Sequence, residues 1–84
     1  MSIQHQEQKN RFILELDSQV AEVTYLYTAE DTIDINHTYV PEALRSHGVA
    51  DQLVKAAFDW AEANELTILT SCSYARIKLA RRKR

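Results

Sequence analysis

The stretch HTYVPEALRSHGVADQL, His37–Leu53, holds the only proline and the only glycine of an 84-residue chain, Pro41 and Gly48. These residue types are the strongest local punctuators of backbone geometry, so a chain that otherwise avoids both uses them where the backbone has a special task. Before the stretch, apolar residues recur with period two; after it, with period three to four. A strand therefore ends at Val40, because Pro41 cannot donate to a ladder, and a helix starts near Val49. The loop between them points backbone N–H groups and the helix dipole at whatever lies beyond the helix N-terminus, an arrangement suited to an anion. Gly48 permits a positive φ or a close backbone approach, and Arg45 offers a guanidinium fork to phosphate oxygens. Taken alone, R-x-x-G-x-A is a weak signal, equally compatible with a plain loop ahead of a helix.

Upstream, RFILELD (residues 11–17), VAEVTYLYT (20–28) and TIDINHTYV (32–40) each alternate, separated by the turn signals SQ and AED. Ala21, Val23, Tyr25 and Tyr27 fall on one face of the second strand, Ile33 and Ile35 on one face of the third. Three short-linked strands imply an antiparallel meander. Downstream, Val49, Leu53, Ala56, Ala57, Trp60 and Ala61 define the apolar stripe of a helix running to Glu65, with Asp51 in its first turn and an i,i+4 pair between Asp51 and Lys55. LTILTSCS (66–73) reads as a short strand, parallel to the third because a helix separates them. SYARIKLARRKR reads as a terminal helix capped by Ser73. The expected fold class is α/β (α+β), one domain over residues 1–84, with residues 1–10 flexible and 81–84 a basic tail.

The hydrophobic share of 45% and charged share of 26% suit a globular domain and exclude a disordered or collagen-like chain. No apolar run reaches the roughly 20 residues of a membrane span, and the polar N-terminus does not read as a signal peptide; a cytoplasmic location is expected, with no membrane partner. Cys72 stands alone, so no internal disulfide is available, and the three histidines and Cys72 lack metal-ligand spacing; no metal is expected. Six of the ten basic residues lie in the last nine, after all twelve acidic ones. A basic tail on an acidic body suggests self-complementation more than nucleic-acid binding, because the body repels a polyanion and no base-stacking motif is present.

The combined string from His37 to Tyr74 resembles the small single-domain members of the GNAT-type N-acetyltransferases. Their signature is close to H-T-x-V-P-x-x-L-R-G-x-G-I-A followed by C-S-F or C-S-Y. His37, Thr38, Val40, Pro41, Leu44, Arg45, Gly48, Ala50, Cys72, Ser73 and Tyr74 match it. The resemblance implies an acetyl-CoA-dependent N-acetyltransferase acting on an unidentified amine, monomeric or weakly dimeric. It places the pantetheine arm beside Val40 and the pyrophosphate in the loop Arg45, Ser46, His47, Gly48, Val49 and Ala50. Ser46 stands where the family usually has glycine. If that position needs a positive φ, serine costs about 1 kcal/mol there. Typical GNAT enzymes also carry helices between their first two strands that build the acceptor pocket. Here DSQ joins those strands, so the acceptor site is missing, open or completed by another chain, and a non-catalytic CoA-binding or interaction module is the alternative.

Two residues are candidates for catalysis. Cys72, at the end of the last strand, is either a covalent acetyl carrier or a small buried hydrophobe. His37 is either a general base, as imidazoles titrate near neutrality, or a half-buried ring bonding a carbonyl. Tyr74 reads as a core aromatic, with proton donation to the CoA thiolate as its functional alternative.

Overall fold

The computed structural model describes residues 2–82, the side chains of Ser46 and His47 excepted. Five strands form one sheet in the order β1 (Ile3–Gln6), β2 (Arg11–Leu16), β3 (Gln19–Ala29), β4 (Thr32–Tyr39) and β5 (Thr67–Thr70). The first four are antiparallel. Helix α1 (Val49–Ala63) crosses from β4 to β5, which pair in parallel, and α2 (Ser73–Arg82) follows β5. This is the mixed α/β arrangement that the alternating and helical periods imply.

One strand was not legible. Ile3–Gln6 belongs to the segment expected to be flexible, yet it pairs with β2 from Ile3↔Leu14 to Gln6↔Arg11. His5 anchors it. Its ring stacks on Phe12 with centroids 4.0 Å apart, meets Trp60 edge-on at 4.5 Å, and its Nε2 lies 2.7 Å from the Tyr25 hydroxyl. The first hairpin turns at Asp17–Ser18, one residue earlier than expected, and both residues have positive φ, as a two-residue type I′ connection requires.

One face of the sheet is the core. Phe12, Leu14, Ala21, Val23, Tyr25, Ile33 and Ile35 are buried against the α1 residues Val49, Leu53, Val54, Ala57, Phe58 and Ala61. Val54 and Phe58 sit deeper than the expected Ala56 and Trp60, which flank the stripe, and Tyr27 lies half exposed. Helix α2 rests beside α1 through charge. Arg82 binds Asp59 and Glu62, and Lys78 Nζ lies 2.9 Å from Asp51. Lys55 accordingly pairs with Asp59 at 2.9 Å rather than with Asp51. The basic C-terminal segment thus neutralises acids of α1; Lys83 and Arg84 of the expected tail lie outside the described residues.

No described helix covers the opposite face of the sheet. Leu26 and Leu69 are 52% and 49% exposed there, in register with each other across Asp34. A β-bulge at Asn36 decides which residues of β4 face which way. Ile35 pairs with Tyr25 and His37 with Thr24, so Asn36 is the extra residue, held by a 2.5 Å hydrogen bond from Thr24 Oγ1. After it the alternation is inverted. Thr38, opposite buried Val23, turns to the helix side, and His37 turns to the open side.

Candidate functional site

β4 and β5 pair from Thr32↔Thr67 to Ile35↔Thr70 and then part. β4 runs on to Tyr39, whereas Ser71 and Cys72 bend away, their N–H groups both donating to the Ile35 carbonyl at 3.0 and 3.3 Å. Beyond Ile35 no described strand pairs with that edge of β4. The gap opens on the helix side into a cleft of about 470 Å³, walled by Thr38, Tyr39 and Val40 of the β4 end, by Arg45, Gly48, Ala50 and Asp51, and by Tyr74 of α2.

The segment between β4 and α1 is a 3-10 turn, Glu42–His47, ended by Gly48 at φ 66° and ψ 24°. Leu44 buries its side chain in the core and pins the turn. Of the loop residues, Gly48 takes the left-handed conformation, while Ser46 lies within the right-handed turn. The strain expected for a serine at that position does not arise there. A Cβ placed on Gly48 would meet nothing within 4 Å, so the glycine serves the φ angle and not close packing within the protein. The first α1 bond runs from Gln52 N–H to the Gly48 carbonyl, so Val49, Ala50 and Asp51 form the first turn of the helix, and Gly48, Ala50 and Asp51 line the cleft. Arg45 folds back, its Nε donating to the Val40 carbonyl at 3.0 Å, which ties the loop to the strand end.

Asp51 would oppose an anion here, but it is compensated. Its carboxylate accepts the Tyr74 hydroxyl and lies 2.9 Å from Lys78 Nζ; these two partners hold it below the usual carboxylate range. Tyr74 is correspondingly pushed up to about 12, by partial burial and then by the Asp51 contact, so its hydroxyl stays protonated near neutrality. Tyr74 packs partly buried against the core and also forms a wall of the cleft. Sequence reading missed this Asp51–Tyr74–Lys78 cluster because the expected partner of Asp51 was its helical neighbour Lys55.

Cys72, not Ser73, occupies the capping position of α2, since its carbonyl accepts the first helical bond from Arg76 N–H at 2.9 Å. Partial burial pushes the Cys72 thiol up, but hydrogen bonds from the Ala75 backbone, the Thr38 hydroxyl and the Tyr74 backbone outweigh it and bring the thiol below its ordinary value. Sγ lies 3.6 Å from Thr38 Oγ1. Half-buried Cys72 thus stands at the strand gap at a helix N-terminus, where a thiolate is favoured. His37 is not brought to it. The bulge sends His37 to the face opposite the helices, exposed, so the half-buried alternative for its ring does not hold.

A parted pair of parallel strands beside a helix that starts at a left-handed glycine is also the geometry implied by the signature in His37–Tyr74. Residues 11–84 match the model of a family described as GCN5-related N-acetyl-transferase. The chain belongs to the GCN5-related N-acetyltransferase family. Protein NATD1 of Xenopus tropicalis is 32% identical over 74 residues, covering 86% of this chain and 68% of that one. Protein NATD1 of Homo sapiens is 31% identical over 74 residues, covering 86% of this chain and 66% of that one. The solution structure of a GCN5-like protein from Staphylococcus aureus superposes with a TM-score of 0.75 at 33% identity, covering 96% of this chain and 79% of the other. Among GCN5-related N-acetyltransferase features, this chain keeps the parted strands and the loop ahead of α1, and joins β2 to β3 by two residues only. Among the described residues no helix is long and apolar enough to cross a membrane.

Proposed function

We propose that the protein is an acetyl-CoA-dependent N-acetyltransferase whose cofactor lies in the cleft between β4 and β5. The observation that carries this reading is the junction of the parted strands with the Gly48-led start of α1. The cleft fits the group in three respects. The free β4 edge beyond Ile35 offers backbone groups to the amides of a pantetheine arm, as an added strand would. The N–H groups of Val49, Ala50 and Asp51 and the α1 dipole suit a pyrophosphate, with the terminal nitrogens of Arg45 free of Val40 to join them. Lys78 pairs with Asp51, the acidic side chain among the described residues of the cleft. Ser46 and His47 belong to the same loop and would contribute through their backbone.

Bound there, acetyl-CoA supplies a thioester whose C–S bond is exchanged for the C–N bond of the acetylated amine, the amine proton passing to the leaving sulfur. The chain's own part is to orient and to handle protons. Tyr74, protonated and fixed by Asp51, holds a proton at the cleft wall. His37 stands on the other side of the sheet, where an amine has open access, and takes up the proton of an incoming ammonium. Cys72 favours a second reading, in which its sulfur carries the acetyl group transiently; its lowered thiol pKa and its position at the gap support that role.

Calorimetric titration with acetyl-CoA tests the proposal. Saturable binding is expected, weakened at least tenfold in Gly48→Asp, which sets a charge at the phosphate end, and much less in Gly48→Asn, which has the same shape without the charge. Absence of binding at millimolar acetyl-CoA would overturn it. Binding without acetylation of any amine would leave a CoA-binding module.

A further inference from the structure

The dipeptide Ser71–Cys72 is tied to β4 through its backbone and on both faces of the sheet, at the point where the strands part. Its N–H groups donate to the Ile35 carbonyl at 3.0 and 3.3 Å. Ser71 Oγ donates to Asp34 Oδ2 at 2.5 Å, on the face that Asp34 shares with its cross-strand partners Leu26 and Leu69. On the helix side Cys72 Sγ lies 3.6 Å from Thr38 Oγ1. We infer that Asp34 and Ser71 are positioning residues: together they fix where β5 leaves β4, and so set the gap that holds the cofactor and the place of Cys72 beside it. The inference rests on the acetyltransferase reading above and adds to that site two residues that do not line its cleft.

Asp34 holds its part at a cost. Its Oδ1 is shut from solvent and meets no donor among the described residues, a condition that destabilises a carboxylate. Stability alone gives no reason for a charge there. The length of the bond to Ser71 does, because a hydroxyl donating to a carboxylate at about 2.5–2.7 Å is charge-assisted and roughly twice as strong as a neutral bond. Ser71 is exposed and could bond water instead, so the contact reflects the strength of its acceptor and not the want of one. The backbone contacts are the looser hold, since 3.3 Å is long for an N–H to carbonyl bond. The pin also stands at the right residue. Ile35↔Thr70 is the last pair of the parallel ladder, and Asp34 and Ser71 adjoin it, so the ladder stops before it covers the β4 edge offered to a pantetheine arm. Beyond Ser71, the Cys72 carbonyl accepts the first α2 bond from Arg76 at 2.9 Å, so the same pin places the start of α2 and with it Tyr74 at the cleft wall. Misplacing groups at a transfer site by about 1 Å costs on the order of a hundredfold in rate.

The test compares amide hydrogen exchange, the alkylation midpoint of Cys72 and acetyl-CoA affinity in the full chain and in Ser71→Ala, Ser71→Thr and Asp34→Asn. In Ser71→Ala the amides at positions 71 and 72 should exchange roughly tenfold faster while those of central β3 keep their rates, the signature of a local opening. The Cys72 midpoint should rise toward that of an unstructured cysteine, and acetyl-CoA should bind about fivefold more weakly or worse. Ser71→Thr, which keeps the hydroxyl, should behave as the parent. Asp34→Asn, which keeps an acceptor without the charge, should fall between the parent and Ser71→Ala in each readout. Unchanged exchange at positions 71 and 72 in Ser71→Ala, acceleration shared equally by β3, or a threonine variant no better than the alanine one would each overturn the inference. Equal acetyl-CoA affinity in the parent and Ser71→Ala would overturn it while leaving the cofactor reading intact. A parent that binds no acetyl-CoA at millimolar concentration would sink the cofactor reading and the positioning role with it.

Discussion

Replacing Gly48 with alanine isolates what the backbone requires at the start of α1. At φ 66° and ψ 24° a Cβ approaches the following carbonyl, which costs roughly 1–2 kcal/mol. No clash adds to this, because the new Cβ would have open space within 4 Å. Part of the cost is offset, since alanine restricts the unfolded chain by about 0.4–1 kcal/mol relative to glycine. The net expectation is a loss of about 1 kcal/mol, read as a fall in Tm of about 4–8 °C for a domain of this size. Asparagine tolerates the left-handed region, so Gly48→Asn should lose less stability than Gly48→Ala. Thermal and urea unfolding followed by circular dichroism would measure both. An alanine variant as stable as the parent, or an asparagine variant less stable than the alanine one, would refute the assignment of Gly48 to backbone geometry.

His5 should make stability depend on pH near neutrality. Burial lowers its pKa from 6.5, with Glu7 acting in opposition, so its contribution is full above about 6.5 and is lost as pH falls through the lower folded value; His5→Phe should remove that part of a urea-midpoint profile. Cys72 should be alkylated by iodoacetamide with a pH midpoint below that of an unstructured cysteine, and Thr38→Val should move the midpoint up; a midpoint at or above the free thiol would contradict the capping geometry. Asp51 and Asp59 have pKa values lowered from 3.8 by hydrogen bonds to Tyr74 and Lys78, and to Lys55 and Arg82. Their stabilisation is present above that value and is lost as pH falls through the lower folded ones, so the urea midpoint should drop in strong acid, and Arg82→Ala should make the drop smaller.

The parts of this fold that follow from period were readable in advance. The alternation of Ala21, Val23 and Tyr25 and of Ile33 and Ile35 gave the buried face, and the stripe from Val49 to Ala61 gave the helix that covers it. The β1 strand was not, because IQHQ has low strand propensity and its weight comes from one histidine wedged among Phe12, Tyr25 and Trp60, a contact across 55 residues of chain at its longest. The bulge at Asn36 was equally invisible. Nothing in TIDINHTYV marks an extra residue, yet it reverses the parity of the strand, turning Thr38 toward Cys72 and His37 away from it. At the candidate site, the loop from Arg45 to Ala50 was legible from its single glycine and the strand-to-helix change. The charge balance at its rim was not, because Asp51 finds Tyr74 and Lys78 across the packing of α2 on α1. Asp34 and Ser71 could have been noticed as polar residues on outward positions of two predicted strands, but their meeting depends on the parallel register of β4 and β5.

The most direct measurement of the central proposal is acetyl-CoA titrated into 15N-labelled protein, with the intact mass recorded in the same sample. Saturable shifts at Tyr39, Val40 and Gly48–Asp51, with the amides of β1 and β2 unmoved, are the predicted result, and the mass of one added acetyl group on Cys72 would select the covalent route. Shifts spread evenly over the sheet, or none at millimolar acetyl-CoA, would contradict a cofactor held where β4 and β5 part.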